Sequence, residues 1–347
     1  MSNYLSIAER KDTKEFIKLL PLMTAVVTQA FQEEDETVLE DALVEFNELA
    51  EIEPNFFRND FTALYQAFKP IVAHKDFANN SIRHQPLEFV VTIIERKPAI
   101  AKKDVELTKD ILNQVFQLMI DIDEDIDASW MRPKEGFAGE DEEEDNVNFG
   151  KTAVDRLVAG VGDAHMLPLI GQLVLNTIAN ETDWRYKHAG LMAFSQVGEY
   201  VDEVAKIAQM MPVVVNHVAH PNPKIRYAAL HCIGQLADDM PGEFQKAYHS
   251  QCMPAMMAAL NDSVPRVQSH ACACLTNFFE NATKEIIAPH MQTLSQNFGI
   301  LIKDGISITK ETAVTSLGTV VEKLGEDFGP YFQETVTFLI TYLGQFY

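Results

Sequence analysis

One pattern constrains this chain more than any other: its C-terminal half repeats itself with a period of about 40 residues. Four segments, 188–199, 227–238, 269–280 and 311–322, align without gaps, and their last residues lie 39, 42 and 42 positions apart. That period belongs to HEAT or armadillo arrays. Each repeat is one helical unit that cannot bury its apolar face alone and must stack on its neighbours. The aligned columns carry the physics. Gly190, Ala229, Ala271 and Ala313 form a small-residue column. Four positions on stand Phe194, Ile233, Leu275 and Leu317, and three further on Val197, Leu236, Phe278 and Val320. The i, i+4, i+7 spacing is one face of a helix. A second small column, Ala193, Cys232, Cys274 and Ser316, lets neighbouring helices approach closely.

Each unit closes on a hydrophobic residue, any residue and an acid. Leu49-Ala50-Glu51, Ile93-Ile94-Glu95 and Val161-Gly162-Asp163 extend that signature towards the N-terminus. The spacing therefore predicts an all-α, right-handed α-solenoid of HEAT repeats, about seven helical hairpins, running as one array over 1–347. Glu51 and Glu95 are 44 apart, but Glu95 and Asp163 are 68 apart, which calls for an insertion. It lies at 121–146. Between Asp121 and Asp145 there are 12 acids against Arg132 and Lys134, and Pro133, Gly136 and Gly139 break regular structure. A run of like charge stays solvated unless a partner neutralises it. Its densest part is Glu140, Asp141, Glu142, Glu143, Glu144 and Asp145. Trp130 either anchors a partner or packs back on the repeats.

Within the repeats, 185–198 reads as a first helix and 203–219 as a second, kinked at Pro212. The next first helix is 224–238, separated by Pro221 and Pro223, which cannot continue a helix. The last pair is 310–323 and 328–347. The apolar end of the chain lacks the polar cap that solenoids need, which reads as an excised piece of a longer protein.

Enzyme chemistry finds no foothold. Gly160-Val-Gly162 lacks a third glycine in register, no phosphate-binding lysine loop exists, and no nucleophile elbow occurs. Cys272 and Cys274 lie two apart on a helix, some 200° round its axis, and so read as core thiols rather than metal ligands. His217 and His220 read as helix-end capping. No cofactor, metal or catalytic residue is expected. The net charge of −23 disfavours nucleic acid and anionic membranes and favours basic partners.

The acidic column Glu51, Glu95, Asp163, Glu199, Asp238, Glu280 and Glu322 falls at the ends of the first helices. There the helix dipole opposes a negative charge by a few tenths to about 1 kcal/mol. Recurrence against that cost has two readings: capping of the turn, or a ladder of carboxylates for a basic ligand, with Glu199, Asp238, Glu280 and Glu322 as its regular part.

Trp184-Arg-Tyr-Lys-His-Ala-Gly-Leu-Met-Ala-Phe-Ser-Gln-Val-Gly-Glu199 and Pro221-Asn-Pro-Lys-Ile-Arg-Tyr-Ala-Ala-Leu-His-Cys-Ile-Gly-Gln-Leu236 closely resemble consecutive repeats of the importin-β (karyopherin-β) superfamily. Asp155-Arg156-Leu157, after an acidic stretch, adds to the likeness, and the branch most resembled is that of importin-5 (karyopherin-β3). The resemblance implies a nuclear import receptor shuttling between cytoplasm and nucleus. It implies first helices on the convex side and second helices on the concave side, and an acidic loop, Glu140–Asp145 by position, that contacts the GTPase Ran or basic cargo. It also implies phenylalanine-glycine nucleoporins as partners, cargo release by Ran-GTP, and a main Ran site in repeats preceding this segment. The alternative class is a constitutive scaffold of the phosphatase-subunit kind. Such a scaffold would hold folded partners by its turn edge and be indifferent to loss of 121–146.

Overall fold

The computed structural model describes residues 16–133 and 145–343. Among them every regular element is helical, and the chain is an all-α HEAT-repeat fold. It divides into two compact units, one of Met1–Ile122 and Glu143–Leu173, the other of Asp123–Glu142 and Val174–Tyr347.

In the first unit the helices are α1 (Leu20–Gln32), α2 (Glu36–Ile52), α3 (Phe61–Ala73), α4 (His84–Arg96) and α5 (Val105–Ile120). The short α6 (Ala128–Met131) belongs to the second unit, and α7 (Asp145–Val161) returns to the first. Helices α2, α4 and α7 are the first helices of successive hairpins and pack side by side. An aromatic cluster packs beneath α2 and α4: Phe46 on α2, Phe57 in the 3-10 turn after it, Phe68 on α3 and Phe89 on α4 are all buried, and their rings meet mostly edge to face at 4.9–5.8 Å. Arg156 on α7 ties the stack from outside. Its guanidinium donates to Glu88, Thr92 and Glu95 of α4 at 2.8–3.1 Å.

Helix α8 (Asp163–Ile178) contains the division between the units. The second unit continues with α9 (Trp184–Phe194), α10 (Met211–His217), α11 (Pro223–Asp239), α12 (Glu243–Ala259), α13 (Pro265–Glu280), α14 (Met291–Asp304), α15 (Ser307–Leu324) and α16 (Gly329–Leu343). First helices α9, α11, α13 and α15 pack in series. The predicted columns are their seam: Ala229, Ala271, Ala313, Ile233, Leu275, Leu236, Phe278 and Val320 are fully buried, and Phe194 and Leu317 nearly so. Each large side chain there contributes roughly 1.5–3 kcal/mol of burial. The second small column lets hydroxyls cross between helices. The Ser316 hydroxyl donates to the Cys272 carbonyl at 2.7 Å and meets Thr276 Oγ1 at 2.7 Å. Cys232 and Cys274 occupy the same column, and burial pushes both thiols well up.

The boundaries follow local chemistry, with one correction. Helix α11 starts at Pro223, where the missing N–H costs nothing, and the Asn222 side chain accepts from the Lys224 N–H at 2.9 Å. The expected second helix 203–219 is not one kinked helix. Val204–Ile207 is a 3-10 turn, and α10 begins only at Met211 with Pro212 in its first turn. Proline is tolerated there but not in a helix interior. Helix α9 likewise stops at Phe194, short of the expected 198.

The glycines considered above as a nucleotide motif have a packing role. A Cβ on Gly160 would sit 2.9 Å from the Glu95 Cα, so its absence sets the approach of α7 to α4. Gly162 turns the chain between α7 and α8 at φ +98°. Replacing Gly160 with Ala should cost about 1–3 kcal/mol by forcing backbone apart. Gly162→Ala should cost roughly 1–2 kcal/mol for the left-handed conformation alone. Urea unfolding checks both, and a Gly160→Ala protein as stable as the parent would contradict the close-approach assignment.

Candidate functional site: an acidic column and a docked acidic strap

The acidic column is solvent-facing. Glu51, Glu95, Glu199, Asp238, Glu280 and Glu322 are exposed. Asp238, Glu280 and Glu322 stand in the last turns of α11, α13 and α15, where the helix dipole opposes them. Two members sit otherwise. Asp163 opens α8, where the dipole favours it, and Glu199 lies in the 3-10 turn Gly198–Tyr200 after α9. Glu95 is spoken for by Arg156. No hydrogen bond caps a turn through the side chains of Glu199, Asp238, Glu280 or Glu322 among the described residues. The capping reading therefore does not account for these four.

Behind Glu199 and Asp238 sits a third carboxylate that sequence reading did not single out. Asp239 is part-buried against Gly198, where a Cβ would lie 2.7 Å from Asp239 Oδ2. Burial pushes this carboxyl up to about 6, opposed by the Gln235 amide donating at 2.7 Å and reinforced by the charges of Asp238 and Glu199. Three acids thus crowd one inter-repeat turn.

The insertion begins and ends in a polar knot, in the first unit. Asn146 Nδ2 donates to the Asp121 carbonyl at 2.8 Å, which clasps the two stems together. Asn146 Oδ1 is met by Asn80 Nδ2 at 3.0 Å and by His84 Nε2 at 2.8 Å, and His84 stacks on Phe149. Burial would raise the Asp121 carboxyl, but Lys75 and the buried Arg83 hold it below the usual range. Of the expected acidic-loop residues, Asp145 is the exposed first residue of α7. Glu140, Asp141, Glu142, Glu143 and Glu144 lie outside the described residues.

Residues 123–133 are described, and within the second unit they form a strap across the starts of the first helices. The Trp184 indole N–H on α9 donates to the Glu124 carbonyl at 3.2 Å. Trp130, on the one-turn α6 capped by Asp127, lies edge-on to the buried Tyr227 ring at 5.7 Å. Lys224 Nζ stands 5.0 Å and the Arg266 guanidinium carbon 5.2 Å from its ring centre. Arg266 Nε also donates to the Trp130 carbonyl at 2.5 Å. Trp130 therefore packs back on the repeats. The signal for this was present in the repeat alignment. Arg185, Lys224 and Arg266 stand three residues before His188, Tyr227 and Ser269, a basic position at the helix starts in three of the four aligned repeats, the fourth having Ile308.

The remaining candidates are structural. His217 Nδ1 lies 2.7 Å from the Val213 carbonyl, and His220 Nδ1 accepts from the Asn222 N–H at 3.1 Å. Among the described residues no group of three or more His, Cys, Asp or Glu could hold a metal, and no helix is long and apolar enough to cross a membrane.

Stacked helical hairpins with a 40-residue register and a surface of carboxylates and turns, without a catalytic constellation among the described residues, define a HEAT-repeat protein. The comparisons agree. The importin repeat family model matches residues 74–168, and that of the HEAT repeats of stalled ribosome sensor GCN1-like proteins matches 147–304. Importin subunit beta-3 of Saccharomyces cerevisiae is 25% identical over 94% of this chain and 30% of its own length. A probable importin-5 homolog of Dictyostelium discoideum is 24% identical over 57% of this chain and 18% of its own length. The chain spans less than a third of either relative. The crystal structure of the karyopherin Kap121p bound to the SUMO protease Ulp1p superposes with a TM-score of 0.91 over 99% of this chain and 33% of that one, at 24% identity. Kap121p bound to Nup53p superposes with a TM-score of 0.90 at 23% identity. By the importin repeat match and the importin relatives, the chain is similar to segments of importin-β superfamily proteins.

Asp239 gives a testable pH dependence. Its folded carboxyl titrates near 6, above the unfolded value of about 3.9. The contribution to stability is thus greatest with the proton on, and falls as pH rises through about 6. Asp239→Asn should raise the unfolding free energy by about 1–2 kcal/mol at pH 7.5 and confer no advantage by pH 4. Urea titrations at both pH values check this; a pH-independent effect would contradict it.

Proposed function

We propose that this chain is a protein-binding segment of a nuclear import receptor. It takes basic cargo, of the ribosomal-protein or histone kind, on its acidic surface, moves between cytoplasm and nucleus through the pore, and gives cargo up to Ran-GTP. The observation that carries this reading is the column Glu199, Asp238, Glu280 and Glu322. It is exposed, repeats once per hairpin, and is unengaged by capping among the described residues. Asp238, Glu280 and Glu322 are kept against the helix dipole, and the charges of Glu199 and Asp238 add to the burial that raises Asp239; a lysine or arginine chain relieves such a field. The overall charge of −23 steers such chains in. Glu140–Asp145 would serve as a second acidic contact, for Ran or cargo. The relatives support the reading: they are importin subunits, and the structural neighbour Kap121p is known bound to Pho4p, Ste12p and the nucleoporin Nup53p. Phenylalanine-glycine nucleoporins and Ran are accordingly proposed partners.

A fluorescein-labelled lysine-rich peptide tests the proposal. Its affinity, followed by anisotropy, should fall steeply with salt. Changing Glu199, Asp238, Glu280 and Glu322 together to Lys should weaken binding at low salt by at least about tenfold, since each exposed charge contact is worth some 0.2–1 kcal/mol. Circular dichroism would show the helical fold kept. Undiminished binding by the folded variant would remove the column from the site.

A further inference from the structure

Trp130 is the one large aromatic side chain on the described part of an otherwise acidic strap, and its surroundings are built for it. Two cations from successive repeats, Lys224 and Arg266, stand 5.0 and 5.2 Å from its ring centre. Tyr227 forms the floor, itself stacked on His270 at 3.9 Å. Arg266 reads the strap backbone as well as the ring, through the bond to the Trp130 carbonyl. One repeat earlier, Trp184 holds the strap by a second backbone carbonyl, that of Glu124. Asp123, Glu124, Asp125 and Asp127 are all exposed on the strap. The strap that carries them is held at the start of α9 through Glu124 and at the starts of α11 and α13 through Trp130. Every recognition element here points to a peptide: an indole, an acidic backbone and two fixed carbonyl contacts.

We propose that Lys224, Tyr227 and Arg266 form a peptide-binding clamp for a tryptophan on an acidic strand, and that residues 123–133 are its resident ligand in cis. The strap is a docked ligand rather than a part of the core: Trp130 is only part-buried, and its neighbours Ala128, Ser129 and Arg132 are exposed. The clamp thus fixes the root of the acidic insertion against the starts of the first helices, at the opposite end of those helices from the acidic column. A competing acidic strand bearing tryptophan would displace it and let the insertion go. This holds irrespective of what the acidic column binds.

The test uses the full chain and a synthetic peptide of residues 123–133, labelled at its N-terminus. With Trp130→Ala the clamp is vacated, and the peptide should bind at least tenfold more tightly than to the parent chain, which competes in cis. Adding Arg266→Glu to Trp130→Ala should abolish that gain. Equal binding to the parent and the Trp130→Ala chain, or a gain indifferent to Arg266→Glu, would overturn the proposal. A second measurement does not depend on the peptide. In a Trp184→Phe background Trp130 is the sole tryptophan. There Lys224→Ala with Arg266→Ala should shift its emission to longer wavelength and at least double its quenching by acrylamide. Unchanged emission and quenching would show that those cations do not hold the ring.

Discussion

The structure depends on one contact repeated: first helices meeting along a face of small and large apolar residues spaced i, i+4, i+7. Small side chains at Ala229, Ala271 and Ala313, and again at Cys232, Cys274 and Ser316, bring the helix backbones close. The larger residues beside them, Ile233, Leu275, Leu236 and Phe278, then fill the gap completely. Each repeat buries its face only on the next, so stability in such an array accumulates from neighbour interfaces rather than from a central core. The same arrangement forms two rims. Carboxylates sit on the rim where first helices end, and cations on the rim where they start.

Those rims divide the electrostatics of a strongly acidic protein. At the ends of the first helices, charge is held against the dipole, and burial, reinforced by the neighbouring Asp238 and Glu199, pushes Asp239 up to about 6. At the starts, Arg185, Lys224 and Arg266 recur, and the acidic strap lies across them. Arg226 is the structural exception among these cations. It pairs with Asp262 through two nitrogens at 2.5 and 2.7 Å and donates to the His220 and Pro221 carbonyls, stitching one repeat's loop to the next. This bidentate pairing serves packing.

Much of this was legible in the sequence because repetition averages out local noise. The seam columns, the hairpins and the limits of the insertion at Asp121 and Asn146 all emerge from aligning four segments and following their offsets. The break before Pro212 was misplaced because a proline near a helix start and one inside a helix look alike until the helix start is known. Asp163 and Glu199 fell outside the helix ends they were assigned to, since α9 stops early at Phe194 and α8 opens at Asp163. Trp130 could not be placed because its partners are up to 136 residues away. Only the basic register of Arg185, Lys224 and Arg266 hinted at where an acidic strand would lie.

Cationic polypeptide is proposed to bind along the carboxylate rim of this chain. Hydrogen–deuterium exchange with and without a saturating lysine-rich peptide tests it most directly. The account predicts new protection at the turns following α9, α11, α13 and α15, around Glu199, Asp238, Glu280 and Glu322, vanishing at high salt. Protection confined to other surfaces, or retained at high salt, would contradict it.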